Sequence, residues 1–143
     1  MRIDALLSRK GNAVVTVAPD RSVADVLAEL ADHNIGALVV SSDGVRVEGI
    51  VSERDVVRHL HATGPGVLSD PVSSIMSTEV HTCAPNAEVE SLVSLMTTRR
   101  VRHVPVVQDG SLIGIVSIGD VVKSRMDELE ADRKALVDYI YAR

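Results

Sequence analysis

Nine residues, Gly49-Ile-Val-Ser-Glu-Arg-Asp-Val-Val57, return later as Gly114-Ile-Val-Ser-Ile-Gly-Asp-Val-Val122, identical at seven of nine positions. A chain that carries one stretch twice is constrained to fold it twice, and each copy then needs the other to cover its apolar face. The match extends well beyond the nine residues. Pro19 and Pro85 lie 66 positions apart, and the same spacing carries Thr16 to Thr82 and Asp43-Gly44 to Asp109-Gly110. It also carries Val23, Val26, Leu27 and Leu30 to Val89, Leu92, Val93 and Met96. One residue fewer in the second turn changes the spacing to 65, which takes Gly49, Ser52 and Asp55 to Gly114, Ser117 and Asp120.

Within a copy, the apolar pattern predicts a strand at 14–17 and then a helix opened by Ser22, with Val23, Val26, Leu27 and Leu30 on one face. The run Ile35-Gly-Ala-Leu-Val-Val40 has the length of a buried strand. Ser41-Ser-Asp-Gly44 supplies turn chemistry before a strand at 47–51 and a helix at 53–61. The expected fold is α/β (α+β): two pseudo-symmetric β-α-β-β-α repeats packed sheet to sheet, with clefts where they meet. On chain order, residues 1–66 form the first repeat with a short N-terminal helix. Residues 67–74 form a linker, 75–124 the second repeat, and 125–143 a C-terminal helix. In that last helix Met126, Leu129, Leu136 and Ile140 line one side, interrupted by Arg133, a pattern that suits packing on its own domain or on a second subunit.

Composition narrows the function classes. Across 143 residues, 45% hydrophobic content suffices for a core, and the formal charge of −5 argues against a nucleic-acid footprint. Two tyrosines near the end of the chain, with no Phe or Trp, provide no platform for stacking bases. A lone cysteine, Cys83, excludes an intrachain disulfide, and no apolar run reaches membrane-spanning length. The expectation is a soluble, cytoplasmic protein.

The order of elements, the closing motif in both halves and the strand Arg102-His103-Val104-Pro105-Val106-Val107 resemble the cystathionine-β-synthase (CBS) domain pair, or Bateman module. The resemblance covers about residues 3–124 and is nearest to small stand-alone pairs with a helical tail. It implies binding of an adenosine-containing ligand (AMP, ADP or ATP, with NAD or S-adenosylmethionine also in range) between the repeats. It also implies a homodimer that regulates another protein. The alternative is a ligand-free dimeric scaffold.

The pattern Ser-x-x-Asp at 52–55 and 117–120 is that of a capping box. A carboxylate at a helix start can also accept both hydroxyls of a ribose, so Ser52, Asp55, Ser117 and Asp120 are ribose candidates in addition to caps. Ile35, Gly36, Ala37 and Leu38, with Val101, Val104 and Pro105, offer walls for adenine. Thr16 and Thr82 are candidates for the same slot, and Pro105 lacks an N–H, which leaves a neighbouring carbonyl or edge free. Arg100, Arg102 and His103 crowd the second repeat where the first has Asn34, Gly36 and Ala37. By the resemblance, Arg102 and His103 inherit a phosphate-binding role, and Arg54, replaced by Gly119 in the other copy, is a further candidate. The two clefts are therefore unequal. Catalysis finds little support: the serine at 117 stands one position too far from Gly114 for a nucleophile elbow. His59 and His61 point to different helix faces, so no intrinsic metal is expected, and Mg enters only with a nucleotide.

Overall fold

Each copy of the repeated stretch is a strand that runs directly into a helix. The computed structural model describes residues 1–142. The elements are α1 (Ile3–Lys10), β1 (Thr16–Val17), α2 (Val23–His33), β2 (Ala37–Val40), β3 (Gly49–Ser52) and α3 (Glu53–Thr63), followed by α4 (Val89–Arg99), β4 (His103–Gln108), β5 (Ser111–Ser117) and α5 (Ile118–Tyr141). The first sheet has the order β1-β2-β3, with β1 parallel and β3 antiparallel to β2. The second is the antiparallel pair β4-β5. Where β1 would recur, a single parallel bridge joins Cys83 to Val106, 66 positions on from the Val17–Val40 pair.

The turns explain the change of spacing between copies. β4 and β5 are joined by Asp109 and Gly110, both with positive φ (52° and 79°), as a two-residue hairpin requires. The first copy uses a longer loop, organised by Asp43, whose Oδ1 accepts the Val45 and Arg46 N–H groups at 2.9 Å each.

Two hydrophobic cores form, one per repeat, and each is closed by a segment that chain order places outside that repeat. α1, grouped with the first repeat on chain order, packs on the second: Ile3, Leu6 and Leu7 join Val89, Leu92, Val104 and Val116. Residues 67–74 are not an open linker: two short 3-10 turns, Pro65–Ser69 and Val72–Ser74, run through them, with Val67 and Val72 buried in the first core. The backbone repeats this crossing. Ile3 N–H donates to the Ala87 carbonyl and Val89 N–H to Met1; Val72 N–H donates to Arg21 and Val23 N–H to Asp70. The driving force is area: a five-element repeat leaves one end of its core open, and a neighbouring apolar segment closes it.

The repeats meet along their strands. Leu112 N–H donates to the Val45 carbonyl at 2.8 Å, and Ile50 exchanges both backbone hydrogen bonds with Ser77. The C-terminal helix does not begin near residue 125. It is continuous with the helix of the closing motif, and beyond Ser124 its apolar side chains Met126, Leu129, Leu136 and Ile140 are each more than half exposed.

Candidate functional site

Both repeated serines cap helices. Ser52 ends β3 in an extended conformation, and its hydroxyl accepts the Asp55 N–H while Asp55 Oδ2 accepts the Ser52 N–H at 2.8 Å. Ser117 and Asp120 repeat this box at the start of α5. Capping occupies one carboxylate oxygen of Asp55. Among the described residues Oδ1 takes no hydrogen bond, and the side chain lines a cleft of about 560 Å³ between the repeats. The helix start contributes a second constraint, since Glu53 N–H donates to the Gly36 carbonyl, as Ile118 N–H does to Arg102. The residue that leads into β2 is thereby tied to the helix carrying Asp55.

The cleft brings together Gly36, Ala37, Ser52, Arg54 and Asp55 from the first repeat with Arg100, Val101, Arg102 and His103 from the second. Other candidates lie elsewhere. Leu38 and Val104 are fully buried in the two cores, and Ile35 packs against the first. Thr16 begins β1 beside Gly44, Thr82 is exposed, and Ser117 and Asp120 belong to the other side of the pseudo-symmetric pair. Pro105 is buried, and its carbonyl is taken by the Cys83 N–H at 3.0 Å. Its missing N–H acts one rung lower. With Val107 donating to Cys83, the next rung of this parallel ladder would run from residue 105 to the His81 carbonyl, and proline cannot supply it.

His81 lines the cleft, so that carbonyl is an acceptor at its rim. The sequence pattern missed it, along with Ser77, Glu79 and Val80, because residues 77–81 reach the cleft through the Ile50–Ser77 backbone exchange, which no side-chain periodicity encodes. Arg58 was also missed, although it stands one helical turn after Arg54 and lines the same wall.

Charge in the cleft runs against that of the protein. Arg54, Arg58, Arg100 and Arg102 face Glu53, Asp55 and Glu79, and among the described residues none of the four arginines pairs with a carboxylate. Arg100 is also held at φ 54°, the left-handed cap position that Asn34 fills in the first repeat. That conformation costs an ordinary side chain about 1 kcal/mol, which asparagine tolerates better than arginine.

A family model described as CBS domain matches the chain twice, at residues 8–62 and 72–127. The chain belongs to the CBS-domain family. It is 38% identical over 125 residues to the mitochondrial CBS domain-containing protein CBSX3 of Arabidopsis thaliana, a match covering 85% of this chain and 61% of that protein. Among solved structures it resembles a CBS-domain containing protein of Agrobacterium tumefaciens, with 46% identity, a TM-score of 0.84 and coverage of 87% and 99% of the two chains. A CBS domain protein of Pyrobaculum aerophilum, solved in complex with AMP, is 28% identical with a TM-score of 0.75, covering 84% of this chain and 89% of that one.

In this CBS pair His103 stands between the repeats, its ring over Gly36, where an added Cβ would lie 3.3 Å from Cε1 and Nε2. Burial lowers its pKa below the ordinary value of 6.5; the Glu53 and Asp120 carboxylates oppose this, and Arg102 and Lys10 add to it. The imidazole is neutral at pH 7. Because the unfolded chain binds this proton more readily, the contribution of His103 to stability is complete above pH 6.5 and is lost as pH falls through the folded value. His103→Gln is expected to flatten the acid side of the melting-temperature profile between pH 7 and 5; an identical slope in both proteins would refute it. Cys83, in contrast, is a half-buried packing residue whose thiol burial pushes up to about 11, so it is no nucleophile at neutral pH. Among the described residues no three His, Cys, Asp or Glu side chains could hold a metal ion together, and no helix is long and apolar enough to cross a membrane.

Proposed function

We propose that this CBS pair is a regulatory sensor that takes an adenine nucleotide in the cleft between its repeats and passes the occupancy to a partner protein. The observation that carries the reading is the free edge of Asp55, at a helix start, facing a cleft rimmed by four arginines that pair with no carboxylate among the described residues. The carboxylate accepts the ribose diol, with the Ser52 hydroxyl beside it. The His81 carbonyl accepts the adenine amino group, and the aliphatic faces of Val101, Val57 and Ile50 enclose the ring. Phosphates meet Arg54, Arg100, Arg102 and His103, with Arg58 added to that set. Four arginines favour AMP, ADP, ATP or NAD over S-adenosylmethionine, whose sulfonium adds positive charge. The AMP complex of the Pyrobaculum aerophilum relative supports the same ligand class.

The exposed line Met126, Leu129, Leu136 and Ile140 on α5 supports a homodimer, since an apolar stripe of this length costs free energy in water unless a partner covers it. It also supports the second reading, in which the pair is a scaffold without ligand.

Melting scans separate the two. A ligand at a hundred times its dissociation constant stabilises the folded form by about 2.7 kcal/mol, a rise of several degrees for a domain of this size. AMP, ADP, ATP and NAD at millimolar concentration are the set to scan, with sedimentation of the same samples reading the assembly. No rise with any of them rejects the sensor and leaves the scaffold; a monomer throughout rejects the dimer.

A further inference from the structure

Asp55 and Asp120 hold matching places in the repeat, and among the described residues neither uses Oδ1 in a hydrogen bond, but only Asp120 is paired with a cation. Asp120 Oδ2, which already accepts the Ser117 N–H at 2.8 Å, also accepts Lys10 Nζ at 2.6 Å. The same ammonium donates to the Ile115 carbonyl at 2.7 Å. We infer that Lys10, its ammonium held against the Asp120 carboxylate, closes the second cleft to a ribose, so that each chain takes one nucleotide, in the cleft of Asp55; the inference rests on the nucleotide reading of that cleft.

The ammonium is delivered by a docked helix rather than by a loose side chain. Lys10 is the last residue of α1, and Gly11 closes that helix at φ 90° by donating its N–H to Leu7 at 2.8 Å. Leu7 is buried and lies against Gly114, where a Cβ would come within 2.9 Å of its methyl groups. The helix end is therefore pinned beside β5, whose Ile115 carbonyl Lys10 takes. The ion pair is shielded, its side chains retaining 28% and 24% of their exposure. A ribose diol that takes both oxygens of Asp120 must displace the ammonium from Oδ2.

The first repeat reverses the charge at the corresponding point. Residues 1–4 dock on the second repeat as residues 70–73 dock on the first, with Met1 matching Asp70 and Ile3 matching Val72, a spacing of 69. That spacing takes Leu7 to Met76, each of which covers the glycine of the closing motif, and Lys10 to Glu79. Glu79 stands at the open cleft and cannot donate to Asp55. One substitution between the docking segments thus decides which carboxylate carries a cation.

The test is calorimetric titration of the intact protein with ATP. The wild type is expected to bind one ATP per chain. Lys10→Met retains an unbranched side chain of similar length and removes the ammonium, so the stoichiometry is expected to rise to two. Two ATP per wild-type chain overturns the inference and leaves the nucleotide reading intact, and this measurement needs no variant to fold. A Lys10→Met protein with wild-type melting behaviour and a stoichiometry still at one overturns it as well. No binding by either protein rejects the nucleotide reading and the inference with it.

Discussion

Asp55→Asn is expected to lower nucleotide affinity by roughly 30- to 800-fold while the melting temperature falls by no more than about 2 °C. The asymmetry of the two effects follows from how the side chain divides its work. Oδ2 belongs to the capping box, accepting the Ser52 N–H at 2.8 Å and the Ser52 hydroxyl at 3.0 Å. The amide oxygen of asparagine can keep those bonds, so the helix start survives with a loss of about 0.5 kcal/mol in its interaction with the helix dipole. The amide NH₂ then turns to the cleft, where a ribose presents two donors. Two charge-assisted hydrogen bonds are lost and donor meets donor, about 2–4 kcal/mol of binding free energy. Titration calorimetry with AMP or ATP, paired with a melting scan, reads both quantities. Unchanged affinity would return Asp55 to capping alone.

Gly49→Ala is expected to cost about 2–4 kcal/mol of stability, a fall of about 5–15 °C, and to weaken nucleotide binding as well. The added Cβ would lie 2.6 Å from Met76 Sδ and 3.0 Å from the Ser77 carbonyl oxygen. Met76 can swing, but the carbonyl is backbone. It is also half of the reciprocal pair with Ile50, at 3.0 and 2.9 Å, that holds residues 77–81 against β3. Pushing it away loosens the wall that carries the His81 carbonyl. Gly114→Ala is the control, because its nearest neighbours are side-chain carbons of Leu7 at 2.9 Å and no backbone atom lies within the same reach. Denaturant melts of the two variants should rank Gly49→Ala as the less stable; wild-type stability and affinity for Gly49→Ala would remove the steric argument.

Much of the fold is legible along the chain because its signals are local. Val23, Val26 and Leu30 repeat at helical spacing and are buried; Ser52 and Ser117 cap the helices that their spacing to an acidic residue predicts. Asp109-Gly110 requires the left-handed turn that the chain makes there. The candidate site is legible in part, for the same reason. Asp55, Arg54, Arg102 and His103 stand at element ends, which is where the lining of the cleft is drawn from. Leu38 and Val104 were misread as walls of the cleft because an unbroken apolar strand gives no sign of which residues face the core.

The internal repeat, its elements and the carboxylate at each helix start are properties of residue order alone, since propensity, periodicity and capping act over a few positions. Which core α1 closes, which carbonyl Pro105 leaves open and which of the two aspartates pairs with a lysine are decided only in three dimensions. Those outcomes depend on segments that cross between repeats to bury apolar area, and hydrophobic burial has no direction along the chain. The two copies of the closing motif are nearly identical in sequence, and the docking of Lys10 on Asp120 makes them unlike in structure.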